Sequence, residues 1–185
     1  ASWATLAWTS ALALSSAVVM LTMPSLGALA DLRAMKKRLL AISTVGCVLG
    51  TALLALVGAG DLWLAAAAIV LSNIFYGYGE SLNSAFLPEL ARREALGRVS
   101  GWGWSFGYFG GMLTLGLSLG YVLWAQAQGM TAAQFVPVTM LITATVYAAA
   151  SLLTFALLKE RAVPQPMALR ESGLRASLAR LVQTW

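Results

Sequence analysis

The chain has 185 residues, of which 59% are hydrophobic and 10% are charged, whereas a soluble domain carries about a quarter charged residues. It has no His and a single Cys, Cys47, which excludes a disulfide within the chain and nearly excludes a Cys/His metal site. The net charge of +5 does not indicate nucleic-acid binding, because the basic residues form short groups between apolar runs rather than one basic face. This balance is typical of a membrane protein, whose first partner is the lipid bilayer.

Five apolar stretches are each long enough to cross a hydrocarbon core of about 30 Å, which takes roughly 20 helical residues. They fall near residues 4–30, 39–59, 62–86, 99–125 and 135–158. The last two belong to one uncharged run, which we divide at the three Gln residues between 126 and 134. Strand alternation is absent, and an apolar segment in lipid must satisfy its own backbone hydrogen bonds. The sequence therefore predicts an all-α, polytopic membrane helix bundle over residues 1–158.

Basic residues mark alternate connections between these stretches. They are Arg33, Lys36, Lys37 and Arg38 in the first connection, Arg92, Arg93 and Arg98 in the third, and Lys159 and Arg161 after the last stretch. Since cytoplasmic loops carry the excess of Lys and Arg, the start of the chain is predicted outside and its end inside a bacterial inner membrane. An outside start without a leader predicts a further span that precedes this chain.

Residues 159–185 are predicted to form a cytoplasmic connector. Apolar side chains recur at helical spacing between residues 174 and 185, with Arg175 and Arg180 off that stripe. This pattern predicts an amphipathic helix after a stiff Pro-Gln-Pro link at residues 164–166. Its apolar face either lies on the cytoplasmic membrane surface or packs on protein.

Polar residues follow one face of the third stretch. Asn73, Tyr76, Glu80, Asn83 and Ser84 fall on an arc about a third of the helix wide, which predicts a face toward a bundle interior or a water-filled cavity. Glu80 is the ionisable residue expected within the membrane, where a carboxylate is costly unless it is paired, protonated or hydrated. Three interpretations are open for it: a coupling or substrate-contacting role, an interfacial position, and a structural hydrogen bond.

Small residues recur every three or four positions in the fourth stretch. Among them are Gly103, Gly107, Gly110 and Gly111. Such a face lets two helix backbones approach closely, so helix packing is predicted there, and a contact that moves during function would use the same face. Gly46 and Gly50 repeat the pattern more weakly in the second stretch, and Ser16 belongs to a small or polar stripe in the first.

The sequence offers no catalytic group and no cofactor site. Gly58, Gly60 and Asp61 match the Gly-x-Gly-Asp pattern of intramembrane aspartyl proteases, but the only other Asp, Asp31, is expected at the opposite membrane face. A Ser–His pair is impossible without His, and a phosphate-binding Gly-Lys-Ser/Thr loop is absent. An enzyme is therefore not predicted.

The first basic connection resembles the signature loop of the major facilitator superfamily. The residues that carry the resemblance are Gly27, Asp31, Arg33, Lys36 and Lys37. The superfamily pattern also has a basic residue directly after the Asp and a Gly soon after it, and here these places hold Leu32 and Ala34. The resemblance implies a cytoplasmic gate at Asp31 with Arg33, Lys36 and Lys37, which would act through Glu89 or Arg92 in the neighbouring connection.

Two further segments look like those of the vacuole-effluxer-like branch of that superfamily. They are residues 83–90, NSAFLPEL, and residues 97–111, which begin GRVSGWGW and end GYFGG. The resemblance covers residues 24–158. It implies that the five spans are helices 2 to 6 of a twelve-helix protein, whose first helix and C-terminal half lie outside this chain. The eukaryotic relatives of this branch are autophagy-related vacuolar amino-acid exporters.

The resemblance implies a secondary active transporter that moves a small polar solute, such as an amino acid, by alternating access. Glu80 would be the coupling or substrate-contacting acid, and Asn73, Tyr76 and Asn83 would be hydrogen-bonding residues of the cavity. The alternative is a non-transporting membrane scaffold or a lipid-interacting helical bundle, in which the glycine faces serve assembly only.

Overall fold

The computed structural model describes residues 2–58 and 60–160, and within them every regular element is helical. The helices are α1 (Ser2–Arg33), α2 (Lys36–Leu53), α3 (Leu62–Ala85), α4 (Leu87–Leu90), α5 (Leu96–Ala127) and α6 (Ala132–Leu157). Short 3₁₀ turns occupy Leu54–Leu56 and Arg93–Ala95. Five helices in this part of the chain are long and apolar enough to cross a membrane, so the predicted all-α fold with five spans is confirmed. The amphipathic helix predicted after residue 166 lies outside the described residues.

Two helices, α1 and α5, run past both ends of their predicted spans. The first continues to Arg33, and the fourth begins at Leu96 and ends at Ala127. Apolar composition marks the part of a helix that crosses hydrocarbon, whereas the helix itself continues into the interface wherever its backbone bonds remain satisfied. The helices α1 and α5 are therefore longer than their predicted spans, whereas α2 ends at Leu53, before the predicted residue 59.

The polar break at residues 126–134 forms the turn between α5 and α6. Gly129 adopts the left-handed conformation, with φ 73°, and the Met130 N–H donates to the Ala125 carbonyl at 3.0 Å, a pattern that ends helices. A capping box then starts α6, since the Thr131 N–H donates to Gln134 Oε1 at 2.8 Å. These local signals explain why the long uncharged run divides here.

Only two residues, Ala34 and Met35, separate α1 from α2. Ala34 adopts the left-handed conformation, with φ 49°, and the Met35 N–H donates to the Ala30 carbonyl at 3.0 Å. This is the bonding of a Schellman motif, in which a Gly usually takes the left-handed position. The superfamily pattern has a Gly at the position of Ala34, and a Gly adopts this left-handed conformation more easily than an Ala does.

The contact between α2 and α3 is the closest helix packing in the bundle. A Cβ added at Gly46 would lie 2.5 Å from the Phe75 ring, and one added at Gly50 would lie 2.9 Å from the Ser72 Cβ. The Phe75 ring fills the space beside Gly46, and at Gly50 the added Cβ would lie 3.0 Å from the Ser72 backbone, so the two helix backbones lie close together there. The helix α3 also packs on α1, and α2 packs on α6. Gly46 and Gly50, which form the weaker of the two glycine patterns in the sequence, therefore lie at the tight contact between α2 and α3.

Basic connections and buried apolar side chains meet at one end of the bundle, which we call the basic end (residues 31–38, 86–98 and 158–160). The buried apolar cluster here comprises Ala30, Leu40, Leu82, Phe86 and Leu158. Leu82 and Phe86 are completely inaccessible. This cluster holds the ends of α1, α2, α3 and α6 together, while large apolar side chains elsewhere on all five long helices are exposed, as expected of surfaces that face lipid.

The helix α5 packs on α6, and Ala125, near its C-terminal end, is fully buried. The glycines of its predicted packing face are Gly103, Gly107, Gly110 and Gly111. Beyond the helix's own adjacent backbone, no described atom comes within 4 Å of a Cβ built at any of them. The packing predicted at these glycines is thus not made among the described residues, and it stays a prediction about a segment outside them.

Candidate functional site

A groove of about 320 Å³ lies between α1 and α3. Its lining residues are Ser16, Val19 and Met20 from α1, and Asn73, Tyr76, Gly77 and Glu80 from α3. The α3 residues share one face because they recur three and four positions apart. The absence of a side chain at Gly77 lets α1 come close, since a Cβ there would lie 3.0 Å from Val19 Cγ2. The volume falls at the lower end of the range of small-molecule sites.

Asn73 ties the floor of this groove to α1. Its Nδ2 donates to Ser15 Oγ at 2.7 Å, and Ser15 Oγ donates to the Leu12 carbonyl at 2.8 Å. Ser15 is completely buried, so the amide and the hydroxyl satisfy each other away from lipid. Asn73 therefore both lines the groove and holds α3 against α1.

Glu80 and Tyr76 present their side chains to the open part of the groove, one helical turn apart. Tyr76 is 49% exposed, and Glu80 is also exposed. Within the described residues the Glu80 carboxylate accepts no hydrogen bond and forms no ion pair; its backbone carbonyl accepts a bond from Ser84. The structure thus offers no structural hydrogen bond for this carboxylate in the described part of the chain.

The structure does not bring Asn83 into the groove. Asn83 is exposed and lies about one turn nearer the basic end than Glu80, and it is not among the groove's lining residues. A polar stripe on a single helix does not show where the contact with the neighbouring helix ends, so the cavity role of Asn83 stays a prediction.

Two α1 residues that hold the groove together were not singled out from the sequence. They are Ser15, which bonds Asn73, and Thr22, whose Oγ1 lies 2.5 Å from Tyr78 Oη. A Ser or Thr in the middle of an apolar span is a usable signal, because its hydroxyl must bond its own helix or a neighbour. Choosing between these two partners requires the tertiary structure.

An ionic link joins three elements at the basic end. Lys36 Nζ lies 2.8 Å from Asp31 Oδ1 and 3.0 Å from Glu89 Oε1, and it also donates to the Ala85 carbonyl at 3.4 Å. The side chains of Lys36 and Glu89 are only 11% and 16% exposed, whereas Asp31 is 61% exposed. We call Asp31, Lys36 and Glu89 the Lys36 latch. The Lys36 ammonium, at the start of α2, contacts the end of α1 through Asp31, the end of α3 through the Ala85 carbonyl, and α4 through Glu89.

The other residues predicted for the gating loop do not enter this latch. Arg33 and Arg92 are exposed, and no described atom beyond the local backbone lies within 4 Å of a Cβ at Gly27. Lys37 Nζ instead donates to the Phe155 carbonyl at 2.9 Å and to the Leu158 carbonyl at 2.6 Å. Lys37 therefore joins α2 to α6 rather than to α1.

Glu160 is a member of the basic end that sequence reasoning missed. Its Oε1 accepts a hydrogen bond from the Lys36 N–H at 2.6 Å, and its Oε2 accepts one from the Lys37 N–H at 3.2 Å. An acidic residue between two basic ones directly after a span was the available signal. Its partners lie 123 and 124 positions away in the chain, a separation that no local pattern reveals.

The described residues contain no group of three or more His, Cys, Asp or Glu side chains that could hold a metal ion. What they do contain is a solute-sized groove within apolar helices and an ionic link at one end of them. This arrangement is suited to solute binding and to conformational change.

Comparison with known proteins agrees with this geometry. The model of one protein family, described as vacuole effluxer Atg22 like, matches residues 6–185. No curated protein and no solved structure gives a significant match. Because the family match covers nearly the whole chain, including the groove, the Lys36 latch and Glu160, the chain belongs to the vacuole effluxer Atg22-like family of membrane transporters.

Proposed function

We propose that the chain forms most of the N-terminal half of a secondary transporter of the major facilitator type, which moves a small polar solute by alternating access. The single observation that carries the proposal is the Glu80 carboxylate, which faces a groove of about 320 Å³ between apolar helices and has no partner among the described residues. Amino acids are the first solutes to test, by analogy with the eukaryotic members of the branch that the sequence resembles. An enzymatic activity forms no part of the proposal.

A carboxylate at this depth requires water, a proton or a bound cation. Its desolvation in lipid costs about 2.5–3.5 kcal/mol or more, so such residues mark substrate or ion pathways by default. The neighbouring Tyr76 hydroxyl and Asn73 amide add hydrogen-bonding groups within one or two turns of Glu80. Together they could bind the ammonium or polar part of a solute, or they could hold a coupling proton on Glu80.

The Lys36 latch would act as the gate of this pathway. It lies at the basic end, and the excess of positive residues there supports a cytoplasmic position in a bacterial inner membrane. A partly buried ammonium held between two carboxylates stabilises one arrangement of the helix ends, and breaking it would permit another. The groove would then be closed toward the cytoplasm while the Lys36 latch is formed, and it would open when the latch breaks.

The open face of α5 would pack on parts of the transporter outside this chain. Gly103, Gly107, Gly110 and Gly111 leave its backbone accessible along two turns or more. A small-residue face of this kind suits a closely packed helix. The preceding first helix and the C-terminal half are the partners that we propose for it.

The proposal is tested by replacing Glu80 in the full-length protein in sealed vesicles. Glu80→Gln keeps the shape of the side chain and removes its charge and its titration. We expect solute flux to fall by about tenfold or more, the size typical of a lost charge-assisted interaction. Asn83→Ala is the matched control, since Asn83 belongs to the same stripe but lies outside the groove, and its flux should remain close to wild type.

Unchanged flux in Glu80→Gln from acidic to neutral pH would remove the coupling role. If the folded wild-type protein in liposomes carried no amino acid or other small polar solute above the lipid leak, the alternative of a membrane scaffold would replace the transporter.

A further inference from the structure

The end of α6 and the start of α2 satisfy each other's unpaired backbone groups. The first amides of a helix have no partner within it, and the N-cap residue of α2, Met35, supplies no side-chain cap. The two oxygens of Glu160 accept hydrogen bonds from the amides of Lys36 and Lys37 instead. A carboxylate at this place also interacts favourably with the positive end of the helix dipole.

Lys37 completes the arrangement in the opposite direction. Its ammonium donates to the carbonyls of Phe155 and Leu158, which lie at the end of α6, where carbonyls lack intrahelical partners. We call Glu160 and Lys37 the helix clasp. Its four hydrogen bonds all involve a charged group, and such bonds are roughly twice as strong as neutral ones.

Lys36 connects the helix clasp with the Lys36 latch. The backbone N–H of Lys36 donates to Glu160, and the side-chain ammonium of the same residue lies between Asp31 and Glu89. Glu160 therefore fixes the point of the backbone from which the latch ammonium extends. The Lys36 side chain is 11% exposed, so it has little freedom to reach its two carboxylates from a shifted backbone.

We propose that Glu160 is a positioning residue of the gate: by holding the start of α2 on α6, it places Lys36 between Asp31 and Glu89. The proposal rests on the proposed gating function of the Lys36 latch. It adds that α6 takes part in the gate although none of its side chains belongs to the latch. Separation of α6 from α2 at the basic end opens the latch, and opening of the latch loosens α6.

The proposal is tested by following exposure of Leu32 in the full-length protein in detergent. Leu32 lies beside Asp31 and is only 6% exposed, so Leu32→Cys in a Cys47→Ala background reports opening through its rate of reaction with a water-soluble maleimide. We expect Glu160→Gln to raise this rate by about tenfold, as loss of a hydrogen bond to a charged group predicts, and Lys36→Met to raise it by a similar factor. Glu94→Gln is the matched control, because Glu94 is an exposed carboxylate of the basic end with no bond to the described residues.

Two further measurements separate positioning from general destabilisation. Ala68→Cys, buried at 3% on α3 away from the basic end, should keep its wild-type rate in Glu160→Gln. The double variant Glu160→Gln, Lys36→Met should react no faster than the faster single variant, and Glu160→Asp, which keeps the charge, should restore part of the protection.

Equal rates for Glu160→Gln and Glu94→Gln would overturn the proposal, and so would multiplied effects in the double variant or an equal rise at Ala68→Cys. Should Glu160→Gln fail to fold, Lys37→Met removes the other half of the helix clasp and must show the same pattern. No solute is needed for these measurements. They can therefore fail while flux through Glu80 is normal, and they can succeed while no solute is carried.

Discussion

Ala34 carries the least favourable backbone conformation of the α1–α2 turn. A non-Gly residue in the left-handed region is destabilised by roughly 1–2 kcal/mol because its Cβ approaches a carbonyl oxygen. The turn has only two residues, so the chain cannot reverse direction between α1 and α2 without this conformation. The strain is therefore a property of the turn length, and Ala34 tolerates what a Gly would adopt freely.

Ala34→Gly should therefore stabilise the protein. We expect the free energy of unfolding to rise by about 1 kcal/mol, which thermal unfolding in detergent would detect as a higher midpoint. The matched control is Ala67→Gly, at an exposed position inside α3, where Gly should lower stability by about 0.5–1 kcal/mol. A fall in stability for both substitutions would contradict the assignment of Ala34 to the left-handed region.

Single residues of the gating loop were only partly predictable. The resemblance pointed to Asp31 and left Glu89 and Arg92 as alternatives in the neighbouring connection, because these residues stand in charged connections that the topology predicts at one membrane face. It could not decide which of the four basic residues lies between them, since that depends on the direction in which the α2 start faces. The structure assigns this place to Lys36 and leaves Lys37 to the end of α6.

At the scale of the helices, the glycines of α2 and α5 have opposite surroundings. Gly50 lies against the backbone of Ser72, with the nearest Cα at 3.0 Å from an added Cβ, whereas Gly107 faces open space within the described residues. We expect Gly50→Ala to lower the free energy of unfolding by about 1–3 kcal/mol, as overpacking does. In the isolated 185-residue chain, Gly107→Ala should raise it by up to about 1 kcal/mol through helix propensity.

The variants Gly50→Ala and Gly107→Ala also test whether a further segment packs on the glycine face of α5. In the full-length protein Gly107→Ala should become destabilising, because the proposed partner helix would meet the added methyl group. Thermal unfolding of both variants in both lengths of the protein gives the comparison. Stabilisation by Gly107→Ala in the full-length protein would contradict the packing predicted from the sequence.

The existence of the helices was predictable, and their partners were not. Lipid leaves a spanning segment almost no choice but a helix, so apolar length, together with the polar break at residues 126–134, predicted five long helices. Small residues, by contrast, indicate only that close packing is possible. The richer glycine pattern of α5 has no described neighbour, and the sparser pattern at Gly46 and Gly50 forms the closest contact.

At the scale of the whole molecule, the salt bridges of the described residues and the groove lie in different places. Large apolar side chains cover the outer surfaces of the five long helices, and both salt bridges of residues 2–58 and 60–160 lie at the basic end. The groove that Glu80 faces lies between α1 and α3. The proposed gate and the proposed solute groove are therefore separate parts of the molecule.

The transporter proposal requires that this groove contain water in the intact membrane. Tyr76 lines the groove at 49% exposure, and Leu71 lies on the opposite side of α3 at 42% exposure. The two side chains therefore have similar accessible areas, and the proposal requires water at Tyr76 and lipid at Leu71. In membrane vesicles with Cys47→Ala, Tyr76→Cys should react with a water-soluble maleimide roughly tenfold or more faster than Leu71→Cys, because the thiolate that reacts does not form in hydrocarbon. Equal and slow reaction at both positions would mean that lipid or another helix fills the groove, and Glu80 would then have no aqueous path along which to exchange a proton or a solute.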